Sequence, residues 1–286
     1  MEGASALRVE VLRGLLGTQI LGVGDRLLYL PVVESTNTFA MQLAYERPEE
    51  GVVVLTDSQT AGKGRQGRRW VDVSGCNVLS SILLRPLFPP HLLVMVASLA
   101  VVDAIAETCD VSATIKWPND VLIADRKVAG ILIETSHDLN GYMIAIVGIG
   151  VNVNGHMRDL SEQLSQQDSP GTTATTLEAE CGHAVSREIF IAYLLKHFET
   201  DYLALQQEAT DASTVVIATH RPVSRLIRER WKGQLSTLGR TISVRQRDAR
   251  ISGVAVDVDD NGELLLRCHS GELVSITWGD VDYPTR

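Results

Sequence analysis

The sequence predicts an α+β fold: a large part in which helices and strands interleave, then a small all-β part of the SH3-like barrel kind. Three observations predict it. The apolar stretch from Leu92 to Val102, preceded by Pro89-Pro90 and closed by Asp103, has the length of a buried helix and is too short to span a bilayer. Asn140-Gly141 divides two runs of strand-forming residues, the strongest short hairpin signal a sequence offers. Beyond Leu238-Gly239 the texture changes to short strands separated by Asn261-Gly262 and Ser270-Gly271.

Residues 4–16 place Leu7, Val11, Leu12, Leu15 and Leu16 at helical spacing, and Gly17 stops the run. One short helix does not make a helix-turn-helix, so no DNA-binding head is expected. Leu27 to Val33 reads as a strand, after which Glu34-Ser35-Thr36-Asn37 caps a helix that buries Phe39, Ala40, Leu43 and Ala44. Those hydroxyl, carboxamide and N–H groups could equally receive a polar ligand. Gly51 to Leu55 is a valine-rich strand that delivers Asp57, Ser58 and Gln59 to the next loop. Val78 to Leu84 alternates as a half-buried strand does, and Leu92 to Cys109 follows as a helix covered on both sides.

Thr114 to Lys116 is a strand running into Trp117-Pro118, so Trp117 stays extended. Lys116 is there either a solubilising charge or a cation held on a stiff element beside Asn119 and Asp120. Asp125-Arg126-Lys127 turns the chain into the hairpin strands, Val128 to Glu134 and Tyr142 to Val153. Within the second, Gly148 and Gly150 mark where some group approaches the backbone. Residues 155–173 read as a mobile polar loop. Ser186 to Glu208 is an amphipathic helix, and a further helical segment runs to Trp231. The arginines of 221–250 read as solvated surface. Thr241 to Arg245, Arg250 to Val258, Glu263 to Arg267 and Glu272 to Thr277 supply the barrel strands. The expected organisation is a lead-in over 1–27, a catalytic domain over 28–233 and a C-terminal domain over 234–286.

In bulk, 286 residues with 45% hydrophobic and 21% charged side chains suit a soluble globular chain with one sizeable core and a small second domain. A net charge of −9 disfavours general attraction to nucleic acid. Cys76, Cys109, Cys181 and Cys268 form no CxxC pair, which argues against a disulfide framework and fits a reducing cytoplasm. Cys181 with His183 lacks the third ligand a metal needs. Met1-Glu2-Gly3 opens no secretory signal.

Against this acidic background, Thr60 to Trp70 packs Lys63, Arg65, Arg68 and Arg69 among Gly62, Gly64 and Gly67. Glycines let backbone N–H groups converge on an anion, and the cations neutralise it. The alternative is a solvated basic turn. Gly62 to Gly67 spells GxGxxG, but a strand-like run rather than a helix follows, and no acid lies between Asp72 and Asp103. Both facts exclude the dinucleotide fingerprint. No HRD or DFG triplet accompanies it as a kinase would require.

Ser35-Thr36-Asn37, Gln59 to Arg65, Lys116 to Asp120, Lys127 to Leu132 and Gly148 to Asn152 stand in an order and spacing that closely resembles the biotin protein ligases. The resemblance covers about residues 28–286 and implies a mixed sheet of the class II synthetase kind with a C-terminal SH3-like barrel. It implies a ligase forming a C–N bond, with ATP and biotin as substrates and Mg2+ as cofactor. Biotin's carboxylate attacks the α-phosphate to give biotinyl-5′-AMP, and a lysine of a biotin carboxyl carrier domain then takes the biotinyl group. By resemblance Lys116 and Arg65 are catalytic cations. Ser35, Thr36, Asn37, Gln59, Lys63, Gly64, Arg65, Lys116 and Gly130 bind biotin, and Arg65, Arg68, Trp70, Asn119 and Asn152 meet the nucleotide.

The chemistry suits these residue types. Carboxylate and triphosphate repel, and fixed cations at the reacting centre are commonly worth ~3–4 kcal/mol of barrier. A closing loop shields the labile acyl-adenylate from water. One position departs from the family: Lys63 replaces the usual Arg of the GRGR form, trading a planar fork for a point charge. Repressor members carry a winged DNA-binding head, for which the N-terminal segment here is too short. A homodimer is compatible with the resemblance, and neither DNA nor a membrane is an expected partner. The competing readings are a lipoate or octanoate ligase of related fold, a biotin-responsive DNA-binding regulator and a plain carrier-binding module.

Overall fold

A computed structural model describes residues 5–46, 49–155, 173–212, 222–246 and 249–283. Helix α1 (Val9–Leu15) is shorter than the spacing predicts and buries only Leu12. Strand β1 (Leu27–Val33) has the expected bounds and pairs in parallel with β2 (Val52–Gln59), while α2 (Thr36–Glu46) crosses between them. Strands β3 (Val78–Leu84), β4 (Thr114–Lys116), β5 (Asp120–Ile123), β6 (Arg126–His137) and β7 (Met143–Val151) complete a seven-stranded sheet in the order β1-β2-β3-β7-β6-β5-β4. Every pairing after the first is antiparallel, which makes the sheet mixed.

β3 corrects one expectation. All seven of its residues are buried rather than one face of them. Its alternation separates two covered faces: Val78, Ile82 and Leu84 join the main core, whereas Leu83 packs with Ala40 and Ala44 of α2. Helix α3 (His91–Thr108) lies in the main core and buries residues all round, as its nearly unbroken apolar sequence requires. It is the one helix among the described residues long and apolar enough to cross a membrane, and most of it is covered by protein.

The hairpin turn forms where Asn140-Gly141 places it. Gly141 adopts a φ of 82°, and Asp138 Oδ1 accepts from the N–H groups of Asn140 and Tyr142, both at 2.9 Å. The polar loop expected over 155–173 lies almost wholly outside the described residues. Beyond it, α4 (Leu177–Cys181) leads to α5 (Arg187–Ala212), which packs on α3 and α1. Helix α6 (Val223–Gln234) then buries Ile227 and Trp231.

The arginines around α6 are tied down rather than simply solvated. Arg230 bridges Asp103 and Asp201, Arg228 pairs with Asp260, and Arg240 pairs with Asp125. Arg221 lies outside the described residues.

The C-terminal part is an antiparallel sheet in the order β11-β10-β9-β8-β12, built from β8 (Thr241–Gln246), β9 (Ala249–Val258), β10 (Leu264–Cys268), β11 (Leu273–Ile276) and β12 (Asp280–Asp282). β12 is an addition to the strands the sequence predicts. The sheet docks on the larger part through Trp117, whose backbone N–H donates to Thr237 Oγ1 (3.0 Å) and whose indole N–H donates to Gly262 O (2.9 Å). The Trp117–Pro118 peptide bond is cis.

Candidate active site

The N-terminus of α2 faces the middle of the sheet, where β3, β6 and β7 run side by side. A narrow hollow opens there, lined by Ser35, Thr36, Asn37, Gln59, Lys63, Trp70 and Gly130 from the sequence-predicted set. Leu79, Ser80, Leu132, Gly148, Ile149 and Gly150 complete the wall, so the hollow is polar at the α2 end and apolar along the strands.

The polar end is a continuous network. Thr36 N–H donates to Gln59 Oε1 at 2.8 Å. Ser81 Oγ lies 2.7 Å from Thr36 Oγ1 and 2.6 Å from Asn37 Oδ1, and Asn37 Nδ2 donates to Glu134 Oε2 at 2.8 Å. Ser35, Thr36, Asn37 and Ser81 are all under a tenth exposed. Ser35 Oγ accepts from Thr38 N–H at 3.5 Å, so the cap and the pocket floor are the same residues. Gln59 is held from behind, its N–H donating to Asp72 Oδ1 at 3.2 Å; burial pushes that carboxyl upward.

Both glycines flagged in β7 serve close approaches. A Cβ on Gly150 would stand 2.6 Å from the Trp70 ring, and one on Gly130 would stand 2.9 Å from it. A Cβ on Gly148 would overlap the Asn37 carboxamide. Trp70 therefore lies on bare backbone, with Lys127 Nζ 5.5 Å from its ring centroid. Its buried indole N–H has no hydrogen-bond partner among the described residues, and neither has the buried Asn152 Oδ1.

The glycine loop folds back on itself. Gly64 N–H donates to Arg68 O at 2.7 Å, and Gln66 takes a positive φ of 57° between them. Lys63 Nζ sits 3.3 Å from Glu134 Oε1. Arg65, Arg68 and Gly64 line a second, outer hollow along the loop with Leu132 and Glu134.

The remaining predicted residues are not in the wall of the first hollow. Arg65 Nη1 donates to Asn119 Oδ1 at 2.7 Å, and Asn119 Nδ2 donates to Ile131 O at 2.8 Å. Asn152 Nδ2 donates to Thr175 O at 3.1 Å. The Lys116 ammonium lies 5.0 Å from the centroid of the Tyr283 ring, so the C-terminal sheet covers it. Burial pulls both the Lys116 ammonium and the Arg65 guanidinium below their ordinary values, and Asp120 and Asp280 oppose that fall in each. The two cations thus share one pair of carboxylates.

Sequence reasoning missed Ser81, Glu134 and Tyr283. Glu134 carried a signal, an acid at the end of an apolar strand, whereas the other two carried none.

A polar slot at a helix end with a cationic glycine loop beside it is a site for a small ligand that carries polar or charged groups. Residues 29–154 match the Biotin/lipoate A/B protein ligase family, and residues 237–283 match the Biotin protein ligase C terminal domain. The chain is 35% identical to the biotin–acetyl-CoA-carboxylase ligase of Paracoccus denitrificans, over 84% of this chain and 94% of that protein. It is 33% identical to the bifunctional ligase/repressor BirA of Bacillus subtilis, over 87% of this chain and 71% of that one. The solved structure of the Aquifex aeolicus biotin protein ligase in complex with biotin and ATP superposes with a TM-score of 0.71 at 26% identity, covering 90% of this chain and 97% of that one. The chain belongs to the biotin protein ligase family.

Proposed function

We infer that this chain activates biotin with ATP and transfers it to a lysine of a carboxylase's biotin carrier domain. The observation that carries the reading is the hollow itself: the Ser35-Thr36-Asn37 helix end and Gln59 form one wall, and the Trp70 end of the cationic loop forms another. A flat, polar ring system fits the α2 end, where hydroxyl and carboxamide groups supply donors and acceptors. The apolar strands suit an aliphatic tail.

In the first step a carboxylate oxygen of biotin attacks the α-phosphorus, and pyrophosphate leaves. Lys116 and Arg65 offset the charge that gathers there, while Arg68 and Asn152 meet the nucleotide. Gly64 gives backbone access to the ligand, Trp70 covers it, and Asn119 holds Arg65 in place. In the second step the carrier lysine's amine attacks the acyl carbon, loses a proton, and AMP departs. Exclusion of water by the loop keeps hydrolysis from competing. Magnesium, when bound, supplies counter-charge to the triphosphate. Among the described residues no group of three His, Cys, Asp or Glu could hold a metal ion, which fits a cation that arrives with the nucleotide.

We assign the catalytic part to 28–233 and the C-terminal part to 234–286, with the break at the last residue of α6. The four thiols support a reducing, cytoplasmic setting, and the net charge of −9 supports a protein partner rather than DNA.

The test is biotin-dependent exchange of labelled pyrophosphate into ATP. Exchange with biotin, lost in Lys116→Ala, is the expected result. Exchange with octanoate or lipoate but not biotin would overturn the reading.

A further inference from the structure

Glu134 touches both halves of the site with different oxygens. Oε1 pairs with Lys63 of the glycine loop at 3.3 Å, and Oε2 accepts from Asn37 Nδ2 in the pocket floor at 2.8 Å. We propose that Glu134 is a positioning residue that sets the donor and acceptor polarity of the biotin slot and ties the loop lysine to it. The proposal rests on the biotin reading.

The polarity follows from counting hydrogens. A carboxylate only accepts, so the nitrogen of Asn37 must face Glu134 and the oxygen must face Ser81. Ser81 has one hydroxyl hydrogen, and the Asn37 oxygen at 2.6 Å can only receive it. The 2.7 Å contact between Ser81 and Thr36 must then use the Thr36 hydrogen. Gln59 Oε1 accepts from the Thr36 backbone N–H at 2.8 Å and lies 3.1 Å from Thr36 Oγ1, which turns its carboxamide oxygen toward the helix end. Gln59 Nε2 consequently points away from the helix end, toward Gly62 at the start of the loop. The acid at the head of the chain fixes the orientations of Asn37, Ser81 and the Thr36 hydroxyl, while the Thr36 backbone N–H fixes that of Gln59. With its nitrogen held on Glu134 and its oxygen on Ser81, the Asn37 carboxamide presents one fixed polarity to the slot it lines.

The position is built for this. Asn37 is 4% exposed and Ser81 fully buried, so neither can borrow water if Glu134 is lost. Gly148 leaves the space that the Asn37 oxygen fills. On the other side, Lys63 presents a single point charge, which one carboxylate oxygen satisfies while the second stays on Asn37.

The experiment uses pyrophosphate exchange with two probes, biotin and 2-iminobiotin, in which an imino nitrogen replaces the urea oxygen. Wild type should prefer biotin. Glu134→Ala frees the Asn37 carboxamide to turn over, so the KM for biotin should rise about tenfold and the preference for biotin should narrow about fivefold. Glu134→Gln keeps an acceptor for Asn37 and drops the charge facing Lys63. It should therefore hold the preference while raising the KM for biotin about threefold. A Glu134→Ala enzyme that keeps both KM and preference within twofold overturns the proposal. So does one that loses kcat on both probes equally at unchanged KM, which is how mere destabilisation would read. If Glu134→Ala does not fold, the Gln variant decides: a collapse of the preference there contradicts the assignment of Oε2 to Asn37. Absence of exchange in wild type would instead strike the biotin reading itself.

Discussion

Arg68 of the glycine loop donates to the Asp280 carboxylate of β12, joining residues 212 positions apart across the two parts of the chain. The arginine is 44% exposed and the aspartate 16%, so the pair closes the outer edge of the site with little net stabilisation. Asp280 also acts on Lys116 and Arg65, raising both against the effect of burial. A carboxylate that pairs with Arg68 and attracts the other two cations of the proposed nucleotide site would compete there with phosphate. Asp280→Asn should lower the KM for ATP about threefold and leave the melting temperature nearly unchanged. A rise in that KM, measured by pyrophosphate exchange at fixed biotin, would show that Asp280 orients Arg68 instead.

Lys116 carries a pH signature. Burial lowers its pKa, and Asp120 and Asp282 only partly oppose that. On the adenylation role proposed for this ammonium, kcat/KM for biotin should fall on an alkaline limb centred below the ordinary lysine value. Lys116→Arg keeps its charge throughout and should move that limb upward, while Lys116→Ala should lose about 10²–10³-fold in kcat. The linkage has the opposite sign to that of a stabilised cation. The folded chain releases this proton at lower pH than the unfolded chain, so the ammonium costs stability below the folded pKa. That cost disappears as pH rises from the folded toward the unfolded value.

Gly148 tests the packing of the pocket floor. A Cβ there would lie 2.2 Å from Asn37 Oδ1, so Gly148→Ala must displace Asn37 from Ser81 and Glu134. The expected cost is roughly 1–3 kcal/mol in denaturant unfolding, with the KM for biotin raised at least about tenfold. Gly150→Ala would instead push on the Trp70 ring and should shift the tryptophan emission while leaving Asn37 in place.

These residues also show what the sequence could and could not say. β1 and β3 were legible to the residue, because each is a β-branched or leucine-rich run with polar or turn-forming neighbours. Gly148 and Gly150 were legible as close approaches, since glycine inside a strand has few other uses. What approached them was not, because Asn37 and Trp70 come from elements far away in the chain. β12 escaped because it is three residues long and only Val281 of them is apolar. The full burial of β3 escaped for a related reason: alternation reports two faces and is silent on whether the second meets water or another layer. Ser81 is therefore not marked by the pattern, although it is the link between Thr36 and Asn37.

A buried ion pair beneath the site, equally invisible in the sequence, gives the strongest stability prediction. Arg187 Nη1 donates to Asp57 Oδ1 at 2.7 Å with both side chains at or below a tenth exposed, and the Tyr29 hydroxyl donates to the other oxygen of the same carboxylate. Arg187 also reaches the carbonyls of Ser5 and Asn77, tying α5, β2 and the N-terminal segment together. Removing one partner leaves a buried charge uncompensated, so Arg187→Ala should lose roughly 3–5 kcal/mol in urea unfolding. Adding Asp57→Asn to it should restore part of that loss, since the stranded charge is gone. The tyrosine sets a pH window for the same cluster. Burial, followed by the bond to Asp57, pushes Tyr29 up to about 12 from the 10.0 of a free tyrosine. Its contribution to stability is therefore complete below pH 10.0 and is lost as pH climbs through about 12, a loss that Tyr29→Phe should abolish in alkaline melts. An alkaline melting profile identical in wild type and Tyr29→Phe would show that the phenol does not hold its proton against Asp57.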